Sequence, residues 1–265
     1  MNPSTFSQTY ECTFSQVGGE WCFIPYNTII EQIKKEVSKY STPKQAQLKT
    51  SFQGFYPKHL SSQPLEFQLH IAYQILRNNA NFKIIAILII LKNIDRINER
   101  HLEDIGTILD KFQLDHALVE CIATKLLYEL IVKKPAVFLA PLMNWRNKNT
   151  QFGRMRACCA TFTRLKKENK GDQIWDVCDV CVRNPERFVQ LGVGCSMKDL
   201  CSVDEERVID FVRKHIQFLS RDGFKYSIEK IKDASVKKEL LGLSRNKVDF
   251  VGASAKQSEE EFISS

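Results

Sequence analysis

A histidine and a glutamate one helical turn apart are the first candidates for a reactive site in this sequence. His116 and Glu120 lie in the segment Asp115–Leu127, where apolar residues recur at spacings of three and four. This pattern predicts a helix that begins after an N-cap at Asp115. Residues four apart stack on one face of a helix, so the imidazole and the carboxylate would lie together beside the apolar stripe. Such a pair is either a functional site or an ordinary solvated pair, and spacing alone favours the solvated pair.

Length and composition favour a helical protein. The chain has 265 residues, of which 43% are hydrophobic, with only 11 glycines and 8 prolines. Few turn-forming residues favour helices over many short strands. The longest apolar run, Ile84–Leu91, is far shorter than the roughly 20 residues of a membrane-spanning helix. The N-terminus lacks the basic-then-apolar pattern of a signal peptide, so we expect an intracellular protein, nuclear or cytoplasmic, that is not secreted.

The nine cysteines indicate a reducing compartment. Their number is odd, and Cys121, Cys158 and Cys159 fall on expected helix-core positions, which predicts buried, reduced thiols. One Cys-x-x-Cys pair, Cys178 and Cys181, has the spacing of half a zinc site, but no second pair follows at a fitting distance. Both residues also match an apolar stripe. The sequence therefore predicts no bound metal and no cofactor.

Net charge favours a polyanionic partner. The chain carries +7, but its last twenty residues hold two lysines against one aspartate and three glutamates, which makes −2 and leaves +9 for the other 245 residues. A basic body suits a polyanion. Basic residues also gather between Lys133 and Lys170, where they are either solvated helix ends or a stripe that contacts phosphates. The charge pattern leaves both interpretations open.

Helical periodicity dominates the chain from Pro64 onward, with short breakers between segments. Helices joined by short loops form either a large bundle or an α-solenoid. A helix pair recurs about every 35–40 residues, close to the period of HEAT-type repeats. We therefore predict an all-α fold, an α-solenoid of HEAT-like or ARM-like repeats. The predicted helices cover residues 64–77, 82–95, 101–112, 115–131, 136–144, 152–168, 172–183, 186–200, 204–219 and 223–232.

Three regions are predicted along the chain. Residues 1–25 have little periodicity and read as a poorly ordered N-terminal arm. Residues 26–245 form a single helical repeat domain, and residues 246–265 form a flexible acidic tail. Early in the domain we predict a short helix over Gln45–Thr50 and a loop over Phe52–Pro57.

Several segments, taken in order, resemble a known family: the AlkD-like DNA glycosylases, grouped as DNA alkylation repair enzymes. The similarity covers roughly residues 44–233 and suggests a divergent, eukaryotic-type member. The family's fold, a stack of HEAT-like helical repeats, agrees with the fold predicted from periodicity. The similar segments are Ala46–Tyr56, the Asp115 helix, Asn144–Ala157 with its tryptophan and Arg-Ala pair, Phe188–Asp199 and Phe218–Lys230.

The resemblance implies a chemistry. Such enzymes hold duplex DNA in a basic groove and release N3- or N7-alkylated purines, while a carboxylate stabilises the oxocarbenium-like sugar by its charge. In the family this carboxylate is an aspartate, an arginine contacts DNA, and two tryptophans pack against the sugar. Here Glu120 matches the carboxylate and Arg156 the arginine, but His116 and Cys195 stand at the tryptophan positions.

Further DNA contacts are expected from Arg154, Lys148 and Trp145, which lie around the same matched segment. The expected partner is alkylated double-stranded DNA, bound by a monomer. Because cysteine lacks an aromatic face, the alternative is a DNA-binding or interaction module on the same scaffold, with excision weakened or lost. A third alternative is a protein-interaction scaffold with no role on DNA.

Overall fold

The computed structural model describes residues 12–17, 20–40, 44–78, 82–111, 114–147 and 152–243. Its contacts divide the chain into two compact units, Met1–Phe138 and Leu139–Ser265, and each unit is treated by itself below. The predicted acidic tail lies outside the described residues, as do residues 1–11 of the predicted arm.

A β-hairpin precedes the helices of the first unit. Strand β1 (Cys12–Val17) pairs antiparallel with β2 (Glu20–Pro25), so that Cys12 is opposite Pro25 and Val17 is opposite Glu20. The sequence holds a signal for this hairpin, because two runs with aromatic and β-branched residues flank Gly18-Gly19. Both strands lie within the predicted N-terminal arm.

The helices of the first unit bury one apolar side each. Amphipathic spacing places residues such as Ile33, Phe67 and Ile105 in its core, where each is no more than 1% exposed. Helix α4 is apolar almost all round and packs with α2 and α3. These helices are α1 (Tyr26–Val37), α2 (Gln45–His59), α3 (Leu65–Asn78), α4 (Lys83–Lys92) and α5 (Glu99–Lys111), with a 3₁₀ turn at Ile94–Arg96.

Helix α2 corrects the predicted loop over Phe52–Pro57. The helix continues to His59 because Phe52 and Phe55, three residues apart, are both buried. Pro57 lies inside the last turn, where tertiary burial outweighs the loss of one backbone hydrogen bond. The aromatic residues that were read as loop residues therefore anchor the helix to the core.

The helix predicted over 115–131 is one helical run interrupted by a π-helical segment. Helix α6 (His116–Cys121) leads into the π segment Ile122–Leu127, and α7 (Tyr128–Lys133) completes the run. The predicted N-cap is confirmed, because the Asp115 carboxylate accepts a hydrogen bond of 2.8 Å from the Leu118 amide.

The second unit is also helical, and α8 crosses the boundary between the units. Polar side chains fix several helix starts: Glu186 caps α11, Asp204 caps α12 and Ser220 caps α13. The helices are α8 (Pro135–Asn144), α9 (Phe152–Lys167), α10 (Ile174–Cys181), α11 (Arg187–Leu200), α12 (Glu205–His215) and α13 (Arg221–Ser227), with a 3₁₀ turn at Trp145–Asn147 and helical residues at 234–243.

Helix α11 is the centre of the second unit, because α9 packs on one side of it and α13 on the other. A Cβ atom added to Gly194 would lie 2.6 Å from the Gly223 carbonyl oxygen, so α13 needs glycine at this contact. Gln190, 1% exposed, donates hydrogen bonds to the Val182 and Asn184 carbonyls and accepts one from the Ser220 amide. These contacts hold the start of α11 against the turns that precede α11 and α13.

From Tyr26 onward the described residues form helices and connecting turns, which confirms the predicted all-helical class. Within those residues, no helix has both the length and the apolar character needed to cross a bilayer.

Candidate functional site

One side of the helix that follows Asp115 remains accessible. The apolar residues of the run, such as Val119, Ile122 and Leu126, are no more than 5% exposed. The accessible side is made of residues that can exchange protons or make polar contacts. These are His116, Glu120, Cys121, Thr124 and Lys125, of which His116 is exposed and the others are half-buried.

The Glu120 carboxylate is not neutralised within the described part of the chain. No ion pair or hydrogen bond to its carboxylate oxygens is found there, and the Thr124 hydroxyl instead donates to the Glu120 backbone carbonyl at 2.7 Å. No ion pair joins it to His116 in those residues. A half-buried carboxylate without a cationic partner is available to a cation that approaches the helix.

Cys121 corrects the prediction of a buried thiol, because it is half-buried on this accessible side. The π segment that begins after it redirects the helix surface, a change that periodicity analysis does not detect. Burial still raises the pKa of the Cys121 thiol, although the nearby Lys125 ammonium opposes that shift. The thiol is therefore protonated at neutral pH.

In the second unit, Arg154 is an interior residue. It is 2% exposed, and its guanidinium carbon lies 5.3 Å from the ring centroid of Trp145, which is 3% exposed. The two side chains form a cation–π pair that packs the start of α9 against the preceding 3₁₀ turn. Their predicted DNA contacts stay predictions, and Lys148 lies outside the described residues.

Arg156 is linked to an aromatic ring at the surface. Arg156 is 4% exposed, and the central carbon of its guanidinium lies 5.8 Å from the ring centroid of Phe188. Phe188 itself is 55% exposed at the start of α11. Gly192 lets α11 approach closely, since a Cβ added there would be 3.4 Å from Arg156 Cγ. This places a large exposed aromatic face directly beside the arginine that the resemblance assigns to DNA.

Phe188 was not among the predicted site residues, although Phe188 begins one of the segments that resemble the family. Phe188, Gly192 and Cys195 are spaced by four and three residues, so they share one side of α11. This spacing, together with the aromatic residue at its start, was the sequence signal that could have identified Phe188 as a site residue. Its exposure could not be deduced, because it depends on where α9 and α13 pack.

Cys195 is half-buried on this side of α11. The close contacts of the helix are made by its neighbours: Gly194 meets Gly223, and the buried Ser196 hydroxyl accepts a hydrogen bond of 2.8 Å from Thr163. The small residues around Cys195 therefore explain the tight packing, whereas Cys195 itself adds no aromatic surface.

The site residues belong to two units. His116 and Glu120 lie in the first, while Trp145, Arg154, Arg156, Cys195 and the newly found Phe188 lie in the second. Within the second unit the structure brings Arg156 next to Phe188 and Arg154 next to Trp145.

The basic stripe between Lys133 and Lys170 is largely engaged in ion pairs. Lys133 pairs with Asp95 at 2.9 Å and Lys166 with Asp172 at 2.7 Å. Arg164 and Lys167 pair with Glu168 and Asp199. These exposed pairs contribute little stability each, but they favour the interpretation as solvated helix ends over a phosphate-contacting stripe.

Cations at the start of α11 and on α13 were not among the predicted site residues. Arg187 precedes Phe188 and reaches Asp222 at 3.8 Å, which connects the start of α11 to α13. On α13, Arg221 and Lys225 are exposed and have no ion pair in the part of the chain that the structure describes. Their charges are available to a phosphate backbone.

Four buried cysteines meet between α9 and α10, namely Cys158, Cys159, Cys178 and Cys181. Cys159 hydrogen bonds with both cysteines of the Cys-x-x-Cys pair, and the contact with Cys178 raises its thiol pKa. No group of His, Cys, Asp or Glu among the described residues has an arrangement that could hold a metal ion. The cluster is a set of buried core thiols.

An open cavity of about 610 Å³ lies between α10 and α12. On its wall the buried His215 Nε2 lies 2.9 Å from Asp179 Oδ1, and Lys214 reaches the same oxygen at 2.7 Å. Burial lowers the pKa of His215, and the hydrogen bond from Lys214 lowers that of Asp179. None of the predicted site residues lines this cavity, so it is separate from the candidate site.

Comparison with known proteins gives the class of this chain. A family model for DNA alkylation repair enzymes matches residues 34–231, well over half of the sequence. The chain therefore belongs to the DNA alkylation repair enzyme family. No curated protein matches it.

Proposed function

We propose that this protein is a DNA glycosylase that releases cationic N3- or N7-alkylpurines from duplex DNA. The observation that carries the proposal is the Glu120 carboxylate, which is accessible and has no cationic partner in the described residues. Alkylation already makes the purine a good leaving group, so the protein has to stabilise the oxocarbenium-like sugar. A fixed carboxylate near the sugar supplies that stabilisation by charge.

The second unit supplies the proposed contacts with DNA. Arg156, held against Phe188, contacts the DNA backbone, and Phe188 offers a stacking surface to a base or sugar. Arg187, Arg221 and Lys225 extend the contact along phosphates. Arg154 and Trp145 act from the interior by holding the start of α9.

We also propose that the protein is an AlkD-like, divergent eukaryotic-type enzyme, built as a solenoid of HEAT-like or ARM-like repeats, that acts as a monomer in the nucleus or cytoplasm. The family match supports DNA as the partner.

A base-release assay tests the proposal. Wild-type protein is incubated with duplex DNA containing 7-methylguanine, and free base is quantified against time and against Glu120→Gln. We expect release by the wild type and its loss in the variant, which keeps the side-chain length and removes the charge. Equally slow release by both proteins would contradict the enzymatic function.

A second candidate function is a DNA-binding module with excision weakened or lost. Its support is the pair His116 and Cys195, which stand where the family has tryptophans and leave the sugar with less aromatic surface. In that case wild-type protein binds duplex DNA with an affinity that falls linearly with salt on logarithmic axes, Arg156→Ala weakens binding, and no base is released. If the protein does not bind DNA at low salt, the remaining interpretation is a protein-interaction scaffold with no role on DNA.

A further inference from the structure

A buried glutamine on α11 joins three segments of the second unit. Gln190 is 1% exposed, and its Nε2 group donates to the Val182 carbonyl at 2.7 Å and to the Asn184 carbonyl at 2.8 Å. Its Oε1 atom accepts a hydrogen bond of 2.8 Å from the amide of Ser220, the N-cap of α13. One side chain therefore connects the turn after α10, the start of α11 and the start of α13.

These hydrogen bonds fix the orientation of the Gln190 amide. Both amide protons meet carbonyl oxygens and the amide oxygen meets an N–H group, so a flipped amide would lose all three bonds. The contact with α13 is also close, because a Cβ atom added to Gly223 would lie 3.0 Å from the Gln190 carbonyl oxygen and 3.2 Å from Oε1. The first turn of α13 therefore packs directly on Gln190.

The helix starts that Gln190 connects carry the proposed DNA contacts. Phe188, two residues before Gln190, is exposed and lies beside the Arg156 guanidinium. Arg221 and Lys225 are exposed on the first two turns of α13. The buried amide therefore links the helix start that carries the aromatic ring to the helix that carries the two cations.

A surface ion pair also joins these helix starts, but it is weak. Arg187 Nε lies 3.8 Å from Asp222 Oδ2, and both side chains are more than half exposed. Exposed pairs contribute little and are screened by salt, whereas the hydrogen bonds of Gln190 are buried, where the low dielectric strengthens them. The position of α13 therefore depends on Gln190 more than on this ion pair.

We propose that Gln190 is a positioning residue for DNA binding. Its amide holds the α13 cations at the spacing from Phe188 at which the cations and the ring meet one duplex. This inference rests on the proposed function, which places these residues on DNA. Phosphates repeat at regular intervals along a duplex, so a cation contributes to binding only when it is held in register with them.

A double-mutant cycle tests the positioning role. Gln190→Met has a similar length and removes the three hydrogen bonds, and it is combined with Arg221→Gln/Lys225→Gln. The readout is the slope of log affinity for duplex DNA against log salt, at a temperature where circular dichroism shows every variant folded. If Gln190→Met does not fold, Gln190→Asn replaces it, because its amide is one methylene too short to reach all three partners.

We expect Gln190→Met to lower the slope by roughly 1.8, as the loss of two phosphate contacts would. In that background the α13 replacements should lower the slope no further, because the cations are already out of register. A residue that only stabilises the fold would leave the cations in place, and the two losses would add. Additive losses, or an unchanged slope for Gln190→Met, would overturn the proposal.

The matched control is Gln68→Met in the first unit. Gln68 is also 1% exposed, donates to the Gln63 carbonyl at 2.8 Å and accepts hydrogen bonds from Tyr56 and Asn93. We expect this variant to be less stable than wild type but to keep the wild-type slope. A decrease as large as that of Gln190→Met would show that general loosening of the protein, and not the position of α13, changes DNA binding.

The two proposals fail separately. If the losses at Gln190 and on α13 are coupled but no methylated base is released, the glycosylase function is wrong and Gln190 keeps its role. If base is released but the losses add, the positioning role is wrong and Glu120 keeps its role. A wild-type protein that does not bind DNA would overturn both.

Discussion

At the scale of single residues, the charge at Glu120 and the aromatic face at Phe188 matter most. The resemblance predicts tryptophans where this chain has His116 and Cys195, and Phe188 is a large exposed aromatic residue beside Arg156. Aromatic stacking on bases tolerates any sequence, because every base has a π face. Phe188 can therefore replace part of the aromatic surface that Cys195 does not supply.

Replacing Phe188 with alanine should weaken DNA binding without affecting folding. Stacking on a base contributes about 1–3 kcal/mol, so we expect the dissociation constant for duplex DNA to rise by roughly five- to a hundredfold. The matched control is Phe218→Ala, another exposed phenylalanine with an arginine over its ring, Arg183 at 4.8 Å. Fluorescence anisotropy measures both variants, and an equal loss for the two would argue against a specific role of Phe188.

Some residues of the candidate site could be predicted from the sequence, and others could not. Asp115 could be predicted as an N-cap because capping depends on a few neighbouring backbone groups. Glu120 was identified as a site residue by the resemblance to the family. The catalytic role that the resemblance assigns to Glu120 is still a prediction. Phe188 could not be recognised, since its exposure results from the packing of three helices.

At the scale of elements, the contact between α11 and α13 depends on glycine. A Cβ at position 194 would lie 2.6 Å from the Gly223 carbonyl oxygen and 3.0 Å from Tyr226 Cβ. Because both neighbours are rigid, we expect Gly194→Ala to lower the free energy of unfolding by about 1–3 kcal/mol.

The control is Gly54→Ala in α2, where an added Cβ meets nothing within 4 Å. Alanine should stabilise that helix by about 0.5–1 kcal/mol. Chemical denaturation measures both variants. A Gly194→Ala protein as stable as wild type would show that α13 does not approach α11 as described.

The stability of the folded protein should depend on pH through Asp104 on α5. Burial raises its pKa to about 6, with Glu66 and Glu103 adding to the shift and Arg100 and Arg77 opposing it. The folded protein therefore binds this proton more tightly than the unfolded chain, and the ionised carboxylate costs stability above pH 6.

Replacement of Asp104 by asparagine should consequently raise the unfolding temperature at pH 7.5. The gain should shrink as pH falls below 6 and vanish below about pH 4, where the aspartate is protonated in both states. Thermal unfolding of the two proteins across this range checks the sign. A gain that grows toward acid pH would contradict the buried environment of Asp104.

Helix boundaries were the part of the elements that periodicity predicted least well. The end of α2 was assigned to a loop because Pro57 is a helix breaker in isolation, whereas burial of Phe52 and Phe55 extends the helix past it. The π segment has no sequence signal of its own, because it depends on local strain and packing.

At the scale of the whole molecule, the distribution of charge differs from its appearance in the sequence. The chain carries a net charge of +7, but much of the basic stripe between Lys133 and Lys170 is paired with nearby acids. Sequence distance does not reveal these pairs, since Lys167 pairs with Asp199 on another helix. The unpaired cations of α13 in the described residues, Arg221 and Lys225, were not predicted.

The double variant Arg221→Gln/Lys225→Gln should therefore reduce the salt dependence of DNA binding. Each lost phosphate contact lowers the slope of log affinity against log salt by about 0.9, so we expect a decrease of roughly 1.8. Lys166→Gln/Lys167→Gln removes the same charge from paired positions and should change the slope less. Binding titrations at four or more salt concentrations measure both slopes. A larger decrease for Lys166→Gln/Lys167→Gln than for Arg221→Gln/Lys225→Gln would indicate that the basic stripe contacts the phosphates.

Single-turnover release of 7-methylguanine tests whether the carboxylate of Glu120 stabilises the oxocarbenium-like sugar. The rates of wild type, Glu120→Asp and Glu120→Gln are compared on the same methylated duplex at saturating protein. Loss of an electrostatic stabiliser typically costs about 10²–10³ in rate. We predict a loss of that size for Glu120→Gln and a much smaller one for Glu120→Asp, which keeps the charge. Equal rates for wild type and Glu120→Gln would contradict the account.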